Sequence, residues 1–418
     1  MILFSGSVTT QVIGADGWFV RCFGEDRPLQ NPVMAMDGSG KLHVAVGDTI
    51  AWGSGRDWTT TDIPIDMTHL STMYFDSAGD RHLSASTPVD SESWYLHCAW
   101  EESGEWTSSS HLFEGTMQSY TLAPDKFGNP RALAVTQQTD DATGDHVTKV
   151  IGSNPVVFSW LEYEICTLEE GWRFCGLSSF IQDSDGWLHA FLVRMNPETQ
   201  ETATDHVVFN GIWDIDDELG FPSRAFEFSP RSGVMDDEGH FHLACTDSSE
   251  GGLYYITNRT GEWAEDEVTD PYDNFGLASI DVDSDGDPHI AYTTEGEEKL
   301  VVLTERHDAE WSSRVVDDRA SYVNEPCSVA VDEDGGVHLC FEVKDDGYRV
   351  MYATDSAPDL VLTDAIVDSA VLTSAVAAFA CSALVIAWYV TTSEKKMRDD
   401  EEVAGMLSTV EEKKGRDR

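Results

Sequence analysis

A short motif that recurs along the chain constrains its fold more than any other feature. Each copy is an apolar stretch, then Asp-x-x-Gly-x-x-His, then a second apolar stretch. Six copies end in histidine, and a degenerate one, the third along the chain, ends in arginine. These residues are His43, His82, Arg131, His189, His242, His289 and His338. The copies lie about 50 residues apart, which is typical of a repeat architecture built from one supersecondary unit per copy.

Each copy predicts two strands joined by a tight turn, because its flanks are rich in β-branched and aromatic residues. Aspartate can hydrogen-bond the backbone of such a turn, and glycine supplies the positive φ where the chain reverses. A third strand follows, and then a strand that carries tryptophan. The tryptophans are Trp58, Trp106, Trp160, Trp213, Trp263 and Trp311. Four strands in this length of chain correspond to one blade of a β-propeller.

The position of the seventh tryptophan strand predicts how the ring closes. No such strand follows the seventh copy, but the segment GWFVRCF, with Trp18, precedes the first copy. We therefore expect residues 15–24 to lie beside residues 348–355 and to complete the last blade, which removes an open sheet edge. The predicted fold is an all-β, seven-bladed propeller of four-stranded antiparallel blades over residues 1–358. A sandwich array and an open solenoid are the alternatives.

The repeats resemble the BNR/sialidase-like superfamily of β-propellers, in particular the Asp-x-x-Gly-x-x-His repeats of prokaryotic surface proteins. The similarity extends over roughly residues 15–358. It implies the fold and leaves activity open, because propellers serve many functions. The sialidase Asp-box, Ser-x-Asp-x-Gly-x-Thr-Trp, is absent, and so is the family's Phe/Tyr-Arg-Ile-Pro signature.

The C-terminal region predicts a membrane anchor. Residues 371–390 carry no charge and are long enough, as a helix, to cross a hydrocarbon core of about 30 Å. Trp388 and Tyr389 lie at the end of this run, where interfacial aromatic residues are expected. We expect a linker over 359–368, a transmembrane α-helix over 369–391 and a charged tail over 392–418. The alternative is a buried core helix.

The charges that flank this run predict its orientation. Lys395, Lys396 and Arg398 follow it, so the positive-inside rule places the tail in the cytoplasm and the propeller outside the cell membrane. No signal peptide is visible at the first residues. Either the true start lies upstream, or the protein is tail-anchored with a cytosolic propeller.

The net charge excludes two classes of partner. With 76 acidic and 26 basic residues, the chain carries a formal charge of -50. Nucleic acid and anionic lipid would be repelled by this field. The charge suits a solvated surface in a saline habitat, divalent cations or basic partners.

One acidic turn is a candidate calcium site. Asp281, Asp283, Asp285 and Asp287 alternate along the sixth copy, and oxygen ligands at such spacing suit calcium. An EF-hand is excluded because Tyr292 occupies the place of its last glutamate. The turn partly resembles the calcium loops of integrin-type propellers, but His289 stands where those loops have an acidic residue. An ordinary hairpin turn is the alternative, and no other cofactor is predicted.

Three further features are candidates for structure or modification. Cys166 and Cys175 flank Glu170-Gly171, so a hairpin there would bring them together as a disulfide. Asn258 begins a glycosylation sequon. The repeated histidines occupy equivalent places in separate blades, too far apart to share a metal ion, so we expect each to hydrogen-bond its own turn or the next blade.

These observations favour a surface-displayed, non-catalytic module that recognises a protein or a glycan. The competing hypothesis is a glycan-active hydrolase or lyase of the sialidase-like type, and a structural envelope component is the third. No Ser-His-Asp signature, phosphate-binding loop or dinucleotide fingerprint occurs in the sequence.

Overall fold

A computed structural model of the chain describes most of the predicted propeller. The described residues are 10–12, 18–25, 32–54, 57–63, 70–90, 93–102, 104–139, 146–156, 159–216, 220–222, 224–229, 231–247, 251–269, 278–294, 300–307, 310–317, 327–344 and 348–355. The predicted linker, membrane helix and tail lie outside these residues. Within them, no helix has the length and apolar character needed to cross a membrane.

The described strands form seven antiparallel sheets, which are the blades of a propeller. The first two strands along the chain are β1 (Thr10–Val12) and β2 (Phe19–Glu25). Blade 1 contains β3 (Val33–Met36), β4 (Leu42–Val46), β5 (Thr49–Ser54) and β6 (Asp57–Asp62). Blade 2 contains β7 (Leu70–Phe75), β8 (Arg81–Pro88), β9 (Ser93–Glu102) and β10 (Glu105–Glu114). Blade 3 contains β11 (Thr116–Pro124), β12 (Pro130–Thr139), β13 (His146–Val156) and β14 (Ser159–Thr167).

The inner strand is divided into two short strands in the next two blades. Blade 4 contains β15 (Arg173–Leu177), β16 (Ile181–Gln182), β17 (Leu188–Asn196), β18 (Glu201–Phe209) and β19 (Trp213–Asp216). Blade 5 contains β20 (Phe226–Glu227), β21 (Gly233–Met235), β22 (Phe241–Asp247), β23 (Leu253–Thr257) and β24 (Ala264–Glu267). Blade 6 contains β25 (Ser279–Val282), β26 (Pro288–Thr293), β27 (Val301–His307) and β28 (Glu310–Asp317). Blade 7 contains β29 (Ser328–Val331), β30 (Val337–Lys344) and β31 (Tyr348–Thr354), with β2 and β1 added at its outer edge.

The closure predicted from the sequence is confirmed. Strand β2 pairs with β31 in antiparallel register, with Phe19 opposite Thr354 and Cys22 opposite Met351. The two ends of the propeller segment therefore share one blade. Strand β1 pairs with β2 as an additional outer strand that the sequence did not predict.

The apolar core is divided into seven clusters, and each cluster lies between two adjacent blades. Every repeat tryptophan lies in the cluster that joins its own blade to the preceding one. Trp18 belongs to the cluster between blades 6 and 7, for example, and Trp58 packs edge-on against Tyr352 between blades 1 and 7. Because a cluster joins blade 7 to blade 1, the ring is closed by packing as well as by strand pairing.

Buried hydroxyl groups also connect the inner strands of neighbouring blades. Ser328 Oγ accepts the N–H of Met34 at 3.2 Å, which links blade 7 to blade 1. Thr121 Oγ1 accepts the N–H of Phe180 at 2.8 Å, which links blade 3 to blade 4. Together with the seven clusters, these bonds make the disc a rigid frame for the groups that it carries.

Candidate functional site

The repeated aspartate and histidine organise the turn between the first two strands of each blade. In blade 1, Asp37 Oδ1 accepts the N–H groups of Ser39 at 2.9 Å and Lys41 at 3.0 Å. The other carboxylate oxygen, Oδ2, lies 2.9 Å from His43 Nε2. Gly40 has φ +76°, a conformation that glycine adopts without strain.

The same arrangement recurs in the other six turns. The distances between Oδ2 and the ring or guanidinium nitrogen are 3.3 Å for Asp76–His82, 2.6 Å for Asp125–Arg131, 3.2 Å for Asp183–His189, 3.1 Å for Asp236–His242, 3.5 Å for Asp283–His289 and 3.2 Å for Asp332–His338. Arg131 replaces the imidazole and donates two hydrogen bonds to the same oxygen. Six of these residues hydrogen-bond the aspartate of their own turn, whereas His289 approaches Asp283 only at ion-pair distance.

Burial and hydrogen bonding shift the pKa values of these groups. Desolvation opposes ionisation of Asp37 and Asp236, but hydrogen bonds from the turn and the imidazole lower both pKa values to about 2. Desolvation lowers the pKa of six histidines. Four belong to the repeat, namely His43, His82, His242 and His338, and two lie outside it, namely His97 and His206. The pKa of His289 is raised, because Glu305 and Asp283 outweigh its desolvation.

We expect the free energy of unfolding to fall as the pH is lowered from 7.5 to 5. A histidine whose folded pKa is depressed binds fewer protons in the folded state, so it destabilises the fold progressively below the unfolded value of about 6.5. The pKa values of His289, Asp281 and Glu227 are raised, so these groups act in the opposite direction, but the six depressed histidines outnumber them. Urea denaturation at several pH values measures the change, and constant stability over this range would contradict the buried histidine network.

The four carboxylates of the predicted calcium turn are not brought together. Asp281 accepts the N–H of Val331 from blade 7 at 2.8 Å, and its desolvation raises its pKa to about 6. Asp283 organises its own turn, and Asp287 lies 3.2 Å from Arg259. Among the described residues, no three histidine, cysteine or acidic side chains form a group suited to a metal ion. Calcium binding at this turn stays a prediction that the observed geometry does not support.

The structure corrects the predicted disulfide. Cys166 lies on β14 of blade 3, Cys175 lies on β15 of blade 4, and both thiols are free. They pack against different inter-blade clusters, because Glu170-Gly171 belongs to the connection between two blades and not to a hairpin. Burial raises the pKa of Cys166 to about 11.

The predicted glycosylation site lies on a turn between β23 and β24. Asn258 Oδ1 accepts the N–H of Phe241 at 2.7 Å, so this side chain helps to hold the turn against the start of β22. The carbonyl of Asn258 accepts the N–H of Gly261 at 2.8 Å. Glycosylation of Asn258 stays a prediction.

Arg231 crosses the central channel. Arg231 precedes the inner strand β21 of blade 5, and its Nε donates to the carbonyl of Ser71 in blade 2 at 3.2 Å. Blades 2 and 5 lie on opposite sides of a seven-membered ring, so this bond spans the axis. Arg231 could not be picked out from the sequence, because it lies outside the repeated motif. It differs from its surroundings only in being a basic residue in an acidic chain.

Two tyrosines share the channel with Arg231. Tyr74 donates from its hydroxyl to the carbonyl of Phe180 at 3.2 Å, and the hydroxyl of Tyr120 lies beside that of Ser86. Burial raises the pKa of both phenols, although the charge of Arg231 acts to lower it. Both tyrosines are half-buried and remain neutral donors at ordinary pH.

Seven other arginines are neutralised by carboxylates of their own or a neighbouring blade. The pairs are Arg81–Glu101, Arg131–Asp125, Arg194–Asp205, Arg224–Asp247, Arg259–Asp287, Arg306–Asp266 and Arg314–Glu305. They are distributed around blades 2 to 6 and do not converge on the axis. Among the described residues they form no arginine cluster for a substrate carboxylate.

No protein-family model matches the chain. No curated protein matches it either. Solved structures similar to it include a protein of unknown function from Dyadobacter fermentans, at 11% identity and TM-score 0.46, with 80% of this chain and 98% of that chain covered. A Trypanosoma rangeli sialidase in complex with sialic acid is similar at 9% identity and TM-score 0.45, with 84% of this chain and 60% of that chain covered. A Penicillium chrysogenum α-L-arabinanase complexed with arabinobiose is similar at 12% identity and TM-score 0.45, with 83% and 98% covered. Similarity at this level carries no information about activity.

Proposed function

We propose that the protein is a membrane-anchored recognition module that displays its propeller at the cell surface and binds a protein or a glycan without turnover. The chemistry of the channel is the observation that supports this proposal. A tyrosine nucleophile must be activated by a neighbouring base. The contacts described above surround Tyr74 and Tyr120 with hydroxyls and a carbonyl, and the pKa of both phenols is raised rather than lowered.

The alternative, a glycan-active hydrolase or lyase, requires groups that can transfer protons at the sugar. Most glycosidases place two carboxyl groups on either side of the scissile bond. The observed acceptors of Tyr74 and Arg231 are the backbone carbonyls of Phe180 and Ser71. These neutral hydrogen bonds support the proposal of binding in preference to catalysis.

The anchor belongs to the same proposal. The uncharged run at residues 371–390, with cationic residues after it, supports a single membrane pass with the tail in the cytoplasm. A helix of this kind would hold the disc near the membrane, where its rim and faces meet ligands.

The proposal is tested by separating binding from turnover. The full chain, purified in mild detergent, is incubated with a panel of neutral and acidic oligosaccharides, with and without calcium, and the sugars are analysed by mass spectrometry. We expect every sugar to keep its original mass, whether or not it is retained. A shortened or unsaturated product that disappears in the Tyr120→Phe variant would contradict the non-catalytic assignment.

A further inference from the structure

Exposed apolar side chains are concentrated on one side of the disc. Among the described residues, nine large apolar side chains are exposed, and eight of them belong to blades 2, 3 and 4. These eight are Val89, Tyr95, Leu112, Phe127, Leu161, Tyr163, Trp187 and Ile212. The ninth, Val315, lies on blade 6. Concentrated apolar exposure on a soluble surface marks an interaction site more often than isolated residues do.

The apolar side chains at the outer edges of blades 3 and 4 line a groove. This rim groove has a volume of about 440 Å³ and lies between residues of β13 and β14 on one side and residues 209–215 on the other. Its most exposed apolar members are Ile212, at 69%, and Tyr163, at 45%. The volume falls in the range of ordinary ligand sites.

Gly152 on β13 leaves room for Trp213, which lines the rim groove. A Cβ on Gly152 would lie only 2.4 Å from the indole of Trp213. The absence of that atom lets Trp213 sit against blade 3, where it also packs on Phe209 with ring centroids 4.9 Å apart. The indole of Trp213 therefore forms part of the groove lining.

The charges at the rim groove determine which occupant it favours. Its acidic lining residues are Glu164 and Asp214, and Tyr163 adds a phenol hydroxyl. Lys149 Nζ pairs with Glu164 Oε2 at 3.1 Å and offsets part of that charge, but the chain as a whole carries a charge of -50. A second copy of this chain or an acidic ligand would be repelled, and a cationic group would be attracted and held by carboxylate hydrogen bonds.

We propose that the rim groove docks an extended, basic segment of a partner protein. Its apolar side chains pack on Tyr163 and Ile212, and its lysine or arginine side chains reach Glu164 and Asp214. The inference rests on the proposed recognition function and names its partner class. Apolar surface gives the affinity, and the carboxylates restrict the partner to basic sequences.

The test uses the full chain and a fluorescein-labelled peptide of eight residues in which lysine alternates with leucine and tyrosine. Binding is measured by fluorescence anisotropy at about 0.5 M salt, where general attraction to an acidic surface is screened. We expect the double variant Tyr163→Ser, Ile212→Ser to bind at least about tenfold more weakly than the wild type, a difference typical of losing interface anchors. The control Val315→Ser removes an exposed apolar side chain on blade 6, 41% accessible, and should bind like the wild type.

Two companion probes make the result decisive. A peptide with glutamate in place of lysine should not bind, and maltohexaose represents a neutral glycan. Equal peptide affinity in all variants, no peptide binding by the wild type, or sugar binding that disappears in the double variant would each overturn the proposal. Circular dichroism checks that the variants are folded. Because the assay measures binding alone, its failure is independent of the turnover test of the proposed function.

Discussion

Replacing Trp18 by alanine is expected to lower the free energy of unfolding by about 3–5 kcal/mol, the usual cost of removing a buried aromatic side chain. Trp18 is only 3% exposed and lies in the cluster between blades 6 and 7. The guanidinium carbon of Arg314 lies 4.5 Å from the centre of its ring, so a cation–π contact is lost as well. Urea denaturation followed by tryptophan fluorescence and circular dichroism measures the change.

Trp187 provides the matched control. It is an exposed tryptophan on the turn of blade 4, so Trp187→Ala should change stability by no more than about 0.5 kcal/mol. Equal effects of the two substitutions would mean that the segment around Trp18 does not contribute to the core.

Replacing Asp236 by alanine is expected to lower the free energy of unfolding by about 2–4 kcal/mol, because several hydrogen bonds are lost together and a buried imidazole nitrogen loses its partner. Asp236 accepts the N–H groups of Glu238 at 3.0 Å and His240 at 2.8 Å. Its other oxygen lies 3.1 Å from Nε2 of His242, which is fully buried. Denaturation at pH 7.5 measures the loss.

A substitution of the neighbouring Asp237 shows whether the effect comes from the hydrogen bonds of Asp236 or only from the loss of a negative charge. Asp237 is exposed, so Asp237→Ala removes one charge without removing the turn. We expect it to be neutral or slightly stabilising in a chain with so many carboxylates. If Asp236→Ala changed the free energy of unfolding as little as Asp237→Ala, the repeated aspartate would not stabilise its turn.

The fold was predictable from the sequence because its determining signals are local and repeated. Each copy of the motif encodes one turn, and the tryptophan strand that follows each of the first six copies completes a blade. The missing seventh strand and the extra Trp18 segment together predicted the pairing of β2 with β31. Because the seven units are equivalent, counting the motif copies and the tryptophan strands was sufficient to predict the topology.

The features that sequence reasoning missed all depend on how blades meet. Cys166 and Cys175 flank what looks like a hairpin turn, but the chain passes from one blade to the next there. Asp281 is held by Val331 of the following blade, and nothing in its own repeat indicates this contact. Arg231 reaches across the axis to Ser71, a contact between residues with no periodic relation in the chain.

The central claim, that the strand near the N-terminus completes the seventh blade, is tested most directly by cross-linking. Cys22 lies opposite Met351, and paired antiparallel residues have Cα atoms about 4.5–5.5 Å apart, which suits a disulfide. Oxidation of the Met351→Cys variant, followed by proteolysis and mass spectrometry, should yield a peptide containing Cys22 joined to one containing position 351. The control Val329→Cys, on the inner strand of the same blade, should give no link to Cys22. No link at position 351, or a link from Cys22 to position 329, would contradict the closure.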